Sequence, residues 1–76
     1  MNKPRRKTLQ EILEQLTEIK DNLEAVKDEE EEYLNNIPEN LQGSERFEKA
    51  EKACDSLEEA FSNLEEVIQN IETAME

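Results

Sequence analysis

The sequence has no histidine and no tryptophan, one cysteine, one glycine and two prolines, and its only aromatic residues are Tyr33, Phe47 and Phe61. Each scarcity closes a route. A single thiol, Cys54, cannot close an intrachain disulfide, and without histidine a structural zinc site lacks most of its usual donors. General acid–base chemistry falls to carboxylates on outward positions, where nothing excludes water. Glu-x-x-Glu spacings do occur, at Glu11 with Glu14 and Glu29 with Glu32, but in a chain more than a quarter acidic such pairs arise by chance, and there is no histidine to complete a metal site. The chain is therefore expected to be non-enzymatic, with no cofactor and no bound metal. No run approaches the roughly 18 apolar residues that cross a bilayer. The basic start Lys3, Arg5, Arg6, Lys7 leads into an amphipathic segment and not into the apolar stretch of a signal peptide, so a cytoplasmic location and no membrane partner are expected.

What is abundant is acid and helix-spaced apolar residues. The 76 residues hold 21 Asp and Glu against 9 Lys and Arg, for a net charge of −12. After Lys52 there is no basic side chain at all. Such a body repels nucleic acid and anionic membranes, and no direct nucleic-acid binding is expected.

Two ladders of alternating three- and four-residue steps run through the chain. The first is Leu9, Ile12, Leu16, Ile19, Leu23, Val26, Glu30, Tyr33, Ile37; the second is Phe47, Ala50, Cys54, Leu57, Phe61, Leu64, Ile68, Ile71, Met75. This is the a/d spacing of coiled-coil helices, sustained for about four heptads on each side of one turn-rich interval. The fold class that follows is all-α, an antiparallel two-helix coiled-coil hairpin. Its expected core pairs Leu9 with Ile71, Ile12 with Ile68, Leu16 with Leu64, Ile19 with Phe61, Leu23 with Leu57 and Val26 with Cys54. In that register Asp28 lies beside Lys52 and Glu31 beside Lys49, which relieves the acidic run Asp28–Glu32 at the unfavourable end of its helix. At the far end Arg5, Arg6 and Lys7 would neighbour Glu72 and Glu76.

Boundaries come from caps and breakers. Residues 1–7 hold Pro4 and the basic cluster without apolar periodicity, and are expected as a flexible arm. Thr8 with Glu11 forms a capping-box signature, which places helix one at 8–36. Pro38 disfavours helix at Ile37, and the interval 37–43 is expected as a corner holding one short turn that Gly43 ends in a left-handed conformation. Ser44 caps helix two, expected over 44–75.

Two helices do not exhaust the apolar surface. Ala53, Ala60, Val67 and Ala74 recur at seven-residue intervals beside the second ladder, and Leu13 and Leu34 flank the first. A stripe this wide is a feature of bundle helices, so hairpins are expected to pair through these six residues into a homodimeric four-helix bundle.

The corner Asn36-Ile37-Pro38-Glu39-Asn40-Leu41-Gln42-Gly43-Ser44-Glu45-Arg46, followed by Leu-Glu-Glu-Ala and Leu-Glu-Glu-Val repeats, resembles a set of short acidic helical-hairpin proteins of Gram-positive bacteria and their phages or mobile elements. The resemblance implies a helical fold and a setting; it carries over no activity. Two functions fit. One is a small acidic interaction or adaptor module. The other is an inhibitor that imitates nucleic acid, offering Asp55, Glu58, Glu59, Glu65, Glu66 and Glu72 to a basic DNA-binding protein. If the corner is a recognition site for a protein partner, Tyr33 and Arg46 are its candidate contact residues.

Overall fold

The computed structural model describes residues 1–76 and contains two long helices packed side by side, α1 at Lys3–Asn35 and α2 at Glu45–Ala74, with a single 3-10 turn at Glu39–Leu41 between them. The result is a rod of 59 × 15 × 13 Å.

Helix α1 begins earlier than Thr8. Asn2 is its cap, accepting from the Arg5 backbone N–H at 2.9 Å, and Pro4 sits in the first turn, where its missing N–H costs nothing. The basic segment expected as a loose arm is thus helical from Lys3. Thr8 lies inside the helix, and its hydroxyl donates back to the Pro4 carbonyl at 3.1 Å. At the other end the helix stops where Pro38 requires: the Asn36 N–H still reaches Glu32 O at 3.1 Å, and Ile37 N–H closes a tighter turn on Leu34 O at 3.2 Å. Gly43 does not adopt a left-handed conformation. The corner closes through Ser44, whose hydroxyl donates to Leu41 O at 2.6 Å and accepts from Phe47 N–H at 3.2 Å, so that one side chain ends the turn and caps α2. Replacing Ser44 with alanine should therefore cost about 1 kcal/mol and lower the melting temperature by roughly 4–8 °C. Circular dichroism melts of the two proteins would check this.

The packing of α2 follows its ladder. Ala50 and Cys54 are buried, and Phe47, Leu57, Phe61, Leu64, Ile68, Ile71 and Met75 are half-buried. Helix α1 is rotated from its expected position by one stripe. Leu9, Leu16 and Leu23 do face the partner helix, but the positions alternating with them are Leu13, Lys20, Lys27 and Leu34, all buried or half-buried. Ile12, Ile19 and Val26, expected in the core, are exposed at 37%, 53% and 51%.

The register moves with the rotation. Phe61, expected opposite Ile19, lies between the ammonium groups of Lys20 and Lys27, at 5.6 and 5.7 Å from its ring centre, and so is level with Leu23. This is a slide of about one helical turn.

The physical reason is visible at the two lysines. Each lays an aliphatic stem in the seam and sets its charge over the face of Phe61, a geometry that lysine can adopt and isoleucine cannot. Lys27, with a side chain only 16% exposed, also meets Glu31 at 3.4 Å and Asp28 at 3.6 Å. Desolvation opposes its charge, but Glu31 and then Asp28 outweigh that and hold its pKa above the ordinary lysine value. The acidic run is thus relieved from within α1. The expected cross-helix pairs of Asp28 with Lys52 and Glu31 with Lys49 do not form, and Lys49 pairs with Glu45 on its own helix at 3.1 Å. No ion pair joins Arg5, Arg6 or Lys7 to Glu72 or Glu76.

Candidate interaction faces

Because α1 turns its Leu13 stripe inward, the Ile12 stripe points out, and helix geometry places it beside the α2 stripe that begins at Ala53. The corner fixes the handedness of this arrangement. Tyr33, Glu30 and Ala53 line one open hollow together with Arg46 and Lys49, whereas Gln10, Thr17, Ile68 and Glu72 line a hollow on the opposite side of the seam. One long face of the rod therefore carries a ridge of Ile12, Ile19, Val26 and Tyr33 alongside a shallow row of Ala53, Ala60, Val67 and Ala74. Tyr33 is 40% and Val67 45% exposed, Ala60 and Ala74 are exposed, and Ala53 is half-buried.

Of the six residues expected to mediate self-association, the four on α2 lie on this face. Leu13 and Leu34 do not: Leu13 is buried and Leu34 half-buried in the seam of the hairpin itself. The α1 contribution to the face is the set expected in the core. Reading both the Leu13 and the Ile12 stripes as apolar was possible from the sequence; deciding which one faced inward required knowing that lysine stems can complete the seam.

The face is also singular in charge. Its outer edges are Thr8, Gln15, Asn22, Glu29 and Asn36 on α1, and Lys49, Ser56, Asn63 and Asn70 on α2, with Arg46 heading the alanine row. Its charged members are Glu29, Glu30, Arg46 and Lys49 toward the corner and Arg5 at the far end of the ridge; between them it is uncharged, in a protein where 39% of residues are charged. Glu11, Glu14, Glu18, Asp21, Glu24, Asp28 and Glu32 occupy other sides of α1. Asp55, Glu58, Glu59, Glu65, Glu66 and Glu72 occupy other sides of α2, where every one of them is exposed.

At the corner the structure brings Tyr33 and Arg46 together. The guanidinium stacks over the tyrosine ring at 5.2 Å and its Nε donates to the phenol oxygen. Leu41, 42% exposed, lies in the same small cleft. No group of three or more acidic or cysteine side chains converges as a metal site would require. No helix is long and apolar enough to cross a membrane.

Cys54 is buried. Its pKa is pushed up, first by burial and then by the nearby Glu30 and Glu31 carboxylates. The unfolded chain loses this proton at lower pH than the folded one, so the group is neutral toward stability near pH 7 and lowers it as pH rises past the ordinary thiol value. A thiol reagent at pH 8 should react with the native protein only at the rate of transient opening, and at once in denaturant. Immediate full labelling of native protein would contradict this placement.

No family model matches the sequence, and comparisons with curated proteins and with solved structures return no significant match.

Proposed function

We propose that this chain is a small non-enzymatic interaction or adaptor module, in which hairpins self-associate into a four-helix bundle and present acidic outer faces to a protein partner. The observation that carries this reading is the exposed ridge Ile12, Ile19, Val26, Tyr33 on a molecule with four buried residues. A compact monomer of 8.9 kDa exposes about 4,800 Å² of surface. This one exposes 5851 Å². The excess, on the order of 1,000 Å², is comparable to the roughly 800 Å² that each partner contributes to a standard interface. Sedimentation equilibrium at tens of micromolar is the test. A dimer mass supports the reading, and a mass of 8.9 kDa in a sample that melts cooperatively overturns it.

A second reading rests on the base-free stretch from Cys54 to Glu76. There Asp55, Glu58, Glu59, Glu65, Glu66 and Glu72 stand exposed along a rigid rod, as an inhibitor imitating nucleic acid requires, and the phage-like corner suits such a setting. Ionic strength separates the two. Capture of a basic DNA-binding protein by this face should weaken steeply between low and physiological salt, whereas contacts through the apolar face should be nearly indifferent to it.

A further inference from the structure

Resting on the self-association just proposed, we infer that the second copy docks in one orientation: the ridge of α1 on each copy lies in the alanine row of α2 on the other, with both corners at the same end of the bundle.

Charge selects the occupant. Two bodies of net charge −12 approach most easily where carboxylates are fewest, and this face is that side of the rod: its carboxylates, Glu29 and Glu30, lie toward the corner beside Arg46 and Lys49. A strongly basic partner would find little there to pair with, since its favourable sites are the acidic sides. Size agrees. A side of 59 × 15 Å offers on the order of 900 Å² per copy, enough for a stable interface.

Shape selects the orientation. The face places a ridge of large residues next to a row of small ones. A twofold axis parallel to the rod brings each ridge onto the other copy's row, whereas a twofold axis across the rod sets ridge against ridge and leaves alanine facing alanine over a void. Heights along the rod are preserved by the parallel axis, so the register of the hairpin carries over to the contact between copies. With Phe61 level with Leu23, Ile12 stands within about 3 Å of the height of Ala74, Ile19 of Val67, Val26 of Ala60 and Tyr33 of Ala53.

The edges provide a second match that the apolar residues do not dictate. In the same arrangement Gln15 of one copy is level with Asn70 of the other, Asn22 with Asn63, and Glu29 with Ser56. These are pairs of short hydrogen-bonding side chains, uncharged except for Glu29, forming a polar rim on both sides of an apolar centre. Placed across the rod instead, the edges lose this pairing. Asn22 and Asn63 are thus assigned as residues that fix the orientation.

The test uses the full chain with Cys54→Ser and Asn40→Cys, carrying a nitroxide at the exposed corner, with mass and spin–spin distance measured on one sample. A dimer with a corner-to-corner distance of about 20–30 Å is expected from two hairpins in contact. A dimer whose labels are separated by nearly the 59 Å length of the rod overturns the orientation and leaves self-association standing. A monomer overturns both. The rim is tested separately. Asn63→Glu alone should weaken the dimer on the order of tenfold, and adding Asn22→Lys should restore it. A double variant as weak as the single one overturns the assigned pairing.

Discussion

Phe61→Ala is expected to leave the chain largely unfolded at 25 °C and micromolar concentration. The ring is the one large aromatic in the middle of the rod. It packs level with Leu23 and seats the charges of both Lys20 and Lys27. Truncating a fully buried phenylalanine costs about 3–5 kcal/mol, and the half-buried ring here warrants about 2–3. Removing the ring also unseats the ammonium groups of Lys20 and Lys27, which adds to the loss. A chain of this size seldom has more than about 3–5 kcal/mol to lose. The helical circular dichroism signal should fall by more than half, and Phe61→Leu, which keeps the volume but not the π face, should lie between. A melting temperature for Phe61→Ala close to that of the unmodified protein would mean that the seam is centred elsewhere.

The same ring explains what the sequence could and could not reveal. Helix α2 was legible throughout, because its ladder carries its large apolar side chains, the flanking stripe being alanines with Val67, and Ser44 with the acids after it marks an unambiguous start. The hairpin followed from Pro38 and the corner amides. Helix α1 was ambiguous in a way periodicity does not resolve. It carries Leu9, Leu16 and Leu23 with apolar neighbours on both sides, Ile12, Ile19 and Val26 on one and Leu13 and Leu34 on the other. Counting lysine as polar tips the choice to the isoleucine side. The folded chain prefers the leucine side, because Lys20 and Lys27 bury their stems against Phe61 while Glu31 and Asp28 meet the Lys27 charge. A rotation of one stripe then moves a whole set of residues from core to surface, so the candidate interface changed on α1 and not on α2. The start of α1 was missed for a simpler reason. Asn2 followed by Pro4 is itself a helix-opening signature, but it lies before the first apolar rung at Leu9, where periodicity carries no signal.

Replacing Ile19 and Val26 together by lysine should separate a role in holding the hairpin from a role in pairing hairpins. Were these residues in the core, as the alternation of the first ladder suggested, two buried ammonium groups without partners would unfold the chain. At 53% and 51% exposure the lysines can reach solvent, and both residue types are compatible with helix. The single hairpin should then keep its helical signal at low temperature. Its association should collapse, because two charges per copy would be carried into the middle of a neutral apolar contact and repeated on the facing copy. Because each side chain is already about half covered in the single hairpin, its loss removes about 1.5–3 kcal/mol of burial per copy for the pair, and the twofold contact counts this twice. The dimer constant should therefore rise by at least a hundredfold, beyond the reach of sedimentation at tens of micromolar. The mass would drop to 8.9 kDa, and thermal stability would cease to depend on protein concentration. The control is Glu58→Lys with Glu65→Lys on the acidic side of α2. It shifts the net charge twice as far as the Ile19→Lys, Val26→Lys pair, yet touches none of the apolar face, so the dimer should survive it. If the acidic-side variant dissociates while Ile19→Lys with Val26→Lys stays dimeric, the pairing surface is on the wrong side of the rod.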